Sequence, residues 1–242
     1  MPTVCRYNLF AKKKTINLFI VLLLVSTLAF SQDCTIYIPS NIDTELHYEM
    51  KNAKGKIKGI YTQKMISVKE SGGETTFELL QTHMDPKDSK KIITQDTISF
   101  RCKDNVFYID MEKYLNQKQM EGFKDMEVKI TTDNLIYPPK LYPGLKLNNG
   151  SISLEIGTGV MNMNITTNIV NRKVKAHENI KTSAGTFKCY KISEDVKSKM
   201  GFVNVQLHNI AWIVKDIGTI RSESYNKKGK LSSTSELIKV VR

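Results

Sequence analysis

NVQLHNIAWIV, residues 204–214, decides the fold. Val205 and Leu207 alternate with Gln206 and His208, the two-residue period of a strand with one face buried. The alternation then resumes one residue out of step, with Ile210, Trp212 and Val214 as the apolar set. A phase change inside a strand is what a bulge or bend produces, so the reading is of a strand in a curved sheet.

The same period runs outward through the chain. In TELHYEMK (44–51) Leu46, Tyr48 and Met50 share a face, and in TISFRCK (97–103) Ile98, Phe100 and Cys102 do. SISLEI (151–156) groups Ile152, Leu154 and Ile156, while VMNMNITTNI (160–169) sets Met161, Met163, Ile165 and Ile169 against Asn162, Asn164, Thr166 and Asn168. NAKGK (52–56) and NKKGK (226–230) place glycine where a hairpin tip needs positive φ, and NNG (148–150) and SAG (183–185) mark further turns. One helix is expected over 111–126, with Met111, Leu115, Met120 and Phe123 on one side. The prolines of YPPKLYPG (137–144) rule out regular structure and make that stretch a crossover within one domain. The fold class is mainly β: about ten antiparallel strands and one short helix. A curved sheet and a two-sheet β-sandwich both satisfy the pattern. The helix needs an apolar surface to cover, which favours the curved sheet.

The N-terminus reads as an address. Lys12, Lys13 and Lys14 precede the apolar run Ile16 to Phe30, the layout of a Sec-type export signal. The run is shorter than the roughly 20 residues a membrane span needs, so no stable transmembrane anchor is expected. Ala29 and Ser31 suit cleavage after Ser31, which makes 1–31 a removed signal and 32–242 one β-rich domain in the periplasm, outer envelope or outside the cell. Gln32 and Asp33 do not fit the small residues that precede a lipidated cysteine, so Cys34 is not read as a lipid attachment point. Without Arg6, Lys12, Lys13 and Lys14, the 36 basic side chains fall by four against 24 acidic ones, leaving a net charge of +8. Cys34, Cys102 and Cys189 remain, and an oxidising compartment favours one disulfide. Cys34, just inside the mature end, is expected to staple it to the sheet by pairing with Cys189 in preference to Cys102.

Several blocks carry a resemblance: FRCKDNVFYIDM (100–111), YPGLKLNNG (142–150), NRKVKAHENIKTSAGTFKCYKI (171–192) and AWIVKDIGTIRSES (211–224), together with QDC at 32–34 and KGK at 54–56. With these the chain resembles exported proteins of Bacteroidetes-type bacteria known as TapB, or as carrying a domain of unknown function 3108-like. The resemblance implies an exported β-rich domain akin to the open half-barrels of lipoprotein carriers. It brings no activity and no catalytic residues.

Chemistry is sparse in the residues themselves. His47, His83, His177 and His208 are scattered, with no zinc spacing and no nucleophile elbow or phosphate loop. Asp104, Asp110 and Glu112 lack the alternating ligands of a calcium loop. No catalytic residue, metal or cofactor is therefore assigned, and a hydrolase built on a new constellation is the minor reading. The positive charge is mostly lysine, clustered at hairpin tips such as Lys51, Lys54, Lys56 and Lys58, which does not suit nucleic acid. Two readings remain. One is a non-enzymatic binder of a lipid or apolar small molecule, with Leu154, Met161, Met163, Ile165 and Trp212 lining a concave sheet face. The other is an interaction protein that sets a basic face against an anionic envelope surface.

Overall fold

Period-two segments need partners, and here all of them find one another in a single antiparallel sheet. The computed structural model describes residues 34–242 apart from 116–119, 121 and 158–161. The export signal at 1–31, Met161 and the middle of the expected helix lie outside the described residues. The first strands are β1 (Glu45–Asn52), β2 (Ile57–Ser71), β3 (Glu74–Asp85), β4 (Asp88–Lys103) and β5 (Val106–Ile109). Two short strands follow, β6 (Glu127–Asp133) and β7 (Leu135–Tyr137). The rest are β8 (Gly150–Gly157), β9 (Asn162–Thr182), β10 (Gly185–Met200), β11 (Val203–Val214), β12 (Gly218–Asn226) and β13 (Leu231–Val241). Of the expected helix, the described part holds a 3-10 turn at Met111–Tyr114.

The order across the sheet is β6-β8-β9-β10-β11-β12-β13-β1-β2-β3-β4-β5-β7. Two meanders, β1–β5 and β8–β13, are thus joined side by side through the β1–β13 ladder. The edge strands β6 and β7 lie at opposite margins, yet only Asn134 separates them in the chain. Two peptide units span at most about 7.6 Å, so the margins must come together, and the thirteen strands form a nearly closed, barrel-like sheet. It is one continuous sheet and not the two of the sandwich alternative.

Side chains hold that seam. Asn134 Oδ1 accepts from the Met111 amide at 3.0 Å, and its Nδ2 donates to Asp110 at 2.8 Å. Asn148 accepts from the Ile136 amide at 2.7 Å and donates to the Asn134 carbonyl at 2.8 Å. Gly150, the glycine of NNG, leaves no room for a side chain, because a Cβ there would come within 2.4 Å of Leu135 Cδ2.

Much of the interior is filled by chain. Ile36, Tyr37 and Ile38 of the entering segment, Leu141 of the Pro-rich crossover and Leu147 just after it bury themselves against Met65, Phe77, Phe100, Phe107 and Val174. In AWIVKDIGTIRSES, Gly218 has φ +114°, and the Tyr37 carbonyl lies 3.2 Å from where a Cβ would be. The entering segment is stapled by a disulfide between Cys34 and Cys102, with Cα atoms 6.2 Å apart. This corrects the expected Cys34–Cys189 pairing. Cys189 is a buried free thiol in a second cluster with Leu46, Tyr48, Trp212, Ile220 and Leu237.

Where a bulge or bend is expected, at the phase change of NVQLHNIAWIV between Leu207 and Ile210, β11 pairs with both neighbours without a register shift, and its ladder with β12 shifts only between Trp212 and Ile213. The β10–β11 ladder runs without a break from Met200–Val203 to Tyr190–Ile213. The strand keeps its alternation while the buried face changes. Ile213 joins the interior cluster, whereas its neighbour Trp212 points through the other face into the second cluster.

Candidate functional site

Where β8 to β11 extend beyond the filled interior, their apolar face stays partly open. Leu207 opposite Asn226 is the outermost β11–β12 pair, so Val203 to Gln206 have β10 as a neighbour but not β12. Ile152 and Leu154 of β8, Ile165 and Ile169 of β9, Met200 of β10 and Val203 and Val205 of β11 line a groove of about 490 Å³. Met111, Leu115, Met120 and Phe123 line it as well. These are the four residues that the sequence groups on one side of 111–126. The polar members, Thr167 and Ser198, hydrogen-bond each other at 2.9 Å, which uses one of their two O–H donors.

Of the residues expected to line a concave face, Leu154 and Ile165 do so, and Met163 packs on the same cluster. Trp212 does not. It is buried on the opposite face, its Nε1 donates to Glu178 Oε1 at 2.7 Å, and Lys191 and Arg221 stand over its ring at 5.1 and 5.8 Å. The Trp212 hydrogen bond, with help from Lys191, holds the Glu178 carboxyl below its ordinary range. Trp212 is thus a structural residue of the second cluster. The sequence does not point to Met200 and Val203, because an exposed apolar residue near a hairpin tip carries no periodic signal of its own, and Val205, though part of the β11 alternation, is not marked by it as groove-lining.

The polar constellations are otherwise occupied. Arg101 grips Asp110 through Nε and Nη2 at 2.8 and 2.7 Å and reaches Glu74 at 3.2 Å, so Asp110 is committed to a guanidinium. Arg172, with a fully buried side chain, meets Glu194 at 3.1 Å, donates to the Asn148 carbonyl at 3.0 Å and lies 4.9 Å from the Tyr137 ring centre. It ties edge strand β7 and the NNG turn before β8 to β9 and β10. His208 Nδ1 meets Asp195 Oδ1 at 2.7 Å, and Asn171 donates to the other oxygen at 2.7 Å. These two bonds hold the Asp195 carboxyl below its ordinary range. The surface dent around this pair also includes Lys197, Gln206, Tyr225 and Lys227, and no Ser, Thr or Cys lines it. Burial pushes the Cys189 thiol up to about 11, far from a reactive thiolate. Among the described residues no three His, Cys, Asp or Glu side chains gather in a way that could hold a metal ion, and no helix is long and apolar enough to cross a membrane.

Comparison with solved structures shows the same fold in two proteins. One, from Bacteroides fragilis, is inferred to be exported and has a YmcC-like fold; it superposes with a TM-score of 0.66 at 21% identity, over 86% of this chain and 100% of that one. The other, from Parabacteroides distasonis, is inferred to be a lipoprotein; the TM-score is 0.68 at 21% identity, over 87% of this chain and 100% of that one. No curated protein matches the chain. The DUF3108-like family model matches residues 43–237, from just before β1 into β13, and on that match the chain belongs to the DUF3108-like family.

Proposed function

We propose that this is an exported, non-enzymatic protein that holds a lipid-like or other apolar small molecule in the groove over β8–β11. The observation that carries the reading is the groove's lining: apolar side chains from four strands and the 111–123 segment, with only two hydroxyls among them, hydrogen-bonded to each other. About 490 Å³ falls within the roughly 300–1,000 Å³ typical of small-molecule sites. A site with this lining selects ligands by removing apolar surface from water, not by orienting polar groups for reaction. The Cys34–Cys102 disulfide fits an oxidising compartment, in keeping with the export layout of the first 31 residues. It also engages Cys34 Sγ, which is then unavailable for a lipid.

Native mass spectrometry after mild purification is expected to show a co-purified apolar molecule, and a hydrophobic dye is expected to compete for the same site. Ile165→Trp, which fills the groove floor, and Val205→Glu, which sets a charge at its exposed rim, are both expected to lower dye binding by tenfold or more, in the sense of about 1.4 kcal/mol. Circular dichroism checks that both variants fold. Absence of any bound molecule together with dye binding unchanged in both variants overturns the reading.

A further inference from the structure

We propose that the end of the sheet formed by the β1–β2, β3–β4, β10–β11 and β12–β13 turns docks on an anionic lipid bilayer surface. The antiparallel order places these four turns at one end and the β2–β3, β4–β5, β9–β10 and β11–β12 turns at the other. The two ends differ in charge. At the first end, the turns themselves, residues 53–56, 86–87, 201–202 and 227–230, hold Lys54, Lys56, Lys87, Lys227, Lys228 and Lys230 and no acid; Asp85 and Asp88 flank the β3–β4 turn, and Lys124, Asp125 and Glu127 stand at the same end where β6 begins. At the other end, residues 72–73, 104–105, 183–184 and 215–217 hold Lys215 against Asp104 and Asp216, and Lys215 pairs with Asp216 at 3.9 Å. The six lysines in the turns at the first end are exposed and have no acidic partner among the described residues.

Charge alone would describe a solvated surface, but this end is also apolar. Phe202, on the β10–β11 turn itself, is fully exposed at 104%, and Met200 and Val203 beside it are 49% and 55% exposed. Ile92 and Ile93, next to the β3–β4 turn, are 57% and 53% exposed. An aromatic ring and aliphatic side chains on projecting turns, ringed by lysines, are the combination that partitions into a lipid headgroup layer: the lysines meet anionic headgroups and the apolar tips enter the acyl boundary. The β10–β11 hairpin projects beyond β12, so its tip reaches a flat surface ahead of its neighbour. Met200 and Val203 also line the groove, which sets its mouth at the docking end. The docking proposal itself stands without a groove ligand.

The test uses the purified chain and sedimentation with vesicles of phosphatidylcholine, with and without phosphatidylglycerol, at low and high salt. Expected is binding to the phosphatidylglycerol vesicles that weakens steeply with salt, and little binding to phosphatidylcholine alone. Phe202→Ser is expected to weaken it about tenfold, and Lys227→Glu with Lys228→Glu at least as much, while Lys215→Glu at the opposite end leaves it unchanged. All these positions are exposed, and a thermal melt verifies folding. Equal binding to both vesicles, no binding to either, an equal effect from Lys215→Glu, or retention on an acidic polysaccharide but not on vesicles overturns the proposal. Native mass spectrometry of Phe202→Ser reads groove occupancy separately, so failure of docking and failure of ligand binding are told apart.

Discussion

Arg172 shows how much of this fold rests on one side chain. It enters from β9 directly after Asn171, whose φ is +57°, and reaches Glu194, the Asn148 carbonyl and the Tyr137 ring. Removing one partner of a buried ion pair leaves the other charge unserved, at a cost of about 3 kcal/mol or more. Arg172→Ala is therefore expected to lower the urea midpoint with the slope unchanged. Arg172→Lys recovers little, because an ammonium cannot reproduce the planar fork. Cys189 gives a second prediction. With its thiol raised from 9.0 to about 11 by burial, it stays protonated at neutral pH and resists Ellman's reagent until the protein is unfolded. Because the folded value lies above the unfolded one, the associated stability is full below about pH 9 and is lost as pH rises toward about 11. The buried Tyr61 hydroxyl, pushed up to about 12, extends the loss to higher pH. Asp195 works in the opposite sense. Its lowered value contributes above the ordinary carboxylate range and is lost on acidification, so Asp195→Asn is expected to flatten the acid limb of a melting-temperature profile.

At the level of elements, the disulfide carries the clearest expectation. It spans 68 residues, and constraining a loop of that length in the unfolded chain is worth about 4 kcal/mol in the chain-entropy model. Reduction, or Cys34→Ser with Cys102→Ser, is expected to lower the melting temperature and expose the segment before β1 to protease. The strands themselves are legible in the sequence, because a half-buried strand writes its period into the side chains. The hairpins at 52–56 and 226–230 are legible for the same local reason: Gly55 and Gly229 have φ of +76° and +71°. The disulfide partner is not, since it depends on which strand the entering segment crosses. Nor is the role of Trp212. Alternation shows that Trp212 shares a face with Ile210 and Val214, but not that this face is buried separately from that of Ile213. The apolar side of 111–126 and the Leu154–Ile165 floor are the legible part of the groove. Its rim at Met200, Val203 and Val205 emerges only once β11 is seen to outrun β12.

For the whole molecule, the sheet's order matters more than its strand count. The sheet has thirteen strands where about ten are expected, and the short strands β5 and β7, the latter running directly into Pro138, form its seam together with β6. The β1–β13 ladder has a further consequence, for the order in which the chain is made. The first strand waits for the thirteenth: β1 can pair with β2 early, but its other neighbour is Leu231–Val241, which leaves the ribosome after all the other described strands. Until then β1 and β12 each show an unpaired margin, the kind of surface that recruits other chains. A chain ended after Lys230 is thus expected to form light-scattering aggregates at concentrations where the full chain stays clear. The eleven residues of β13 act as a keystone: without them two margins of the sheet stay open at once.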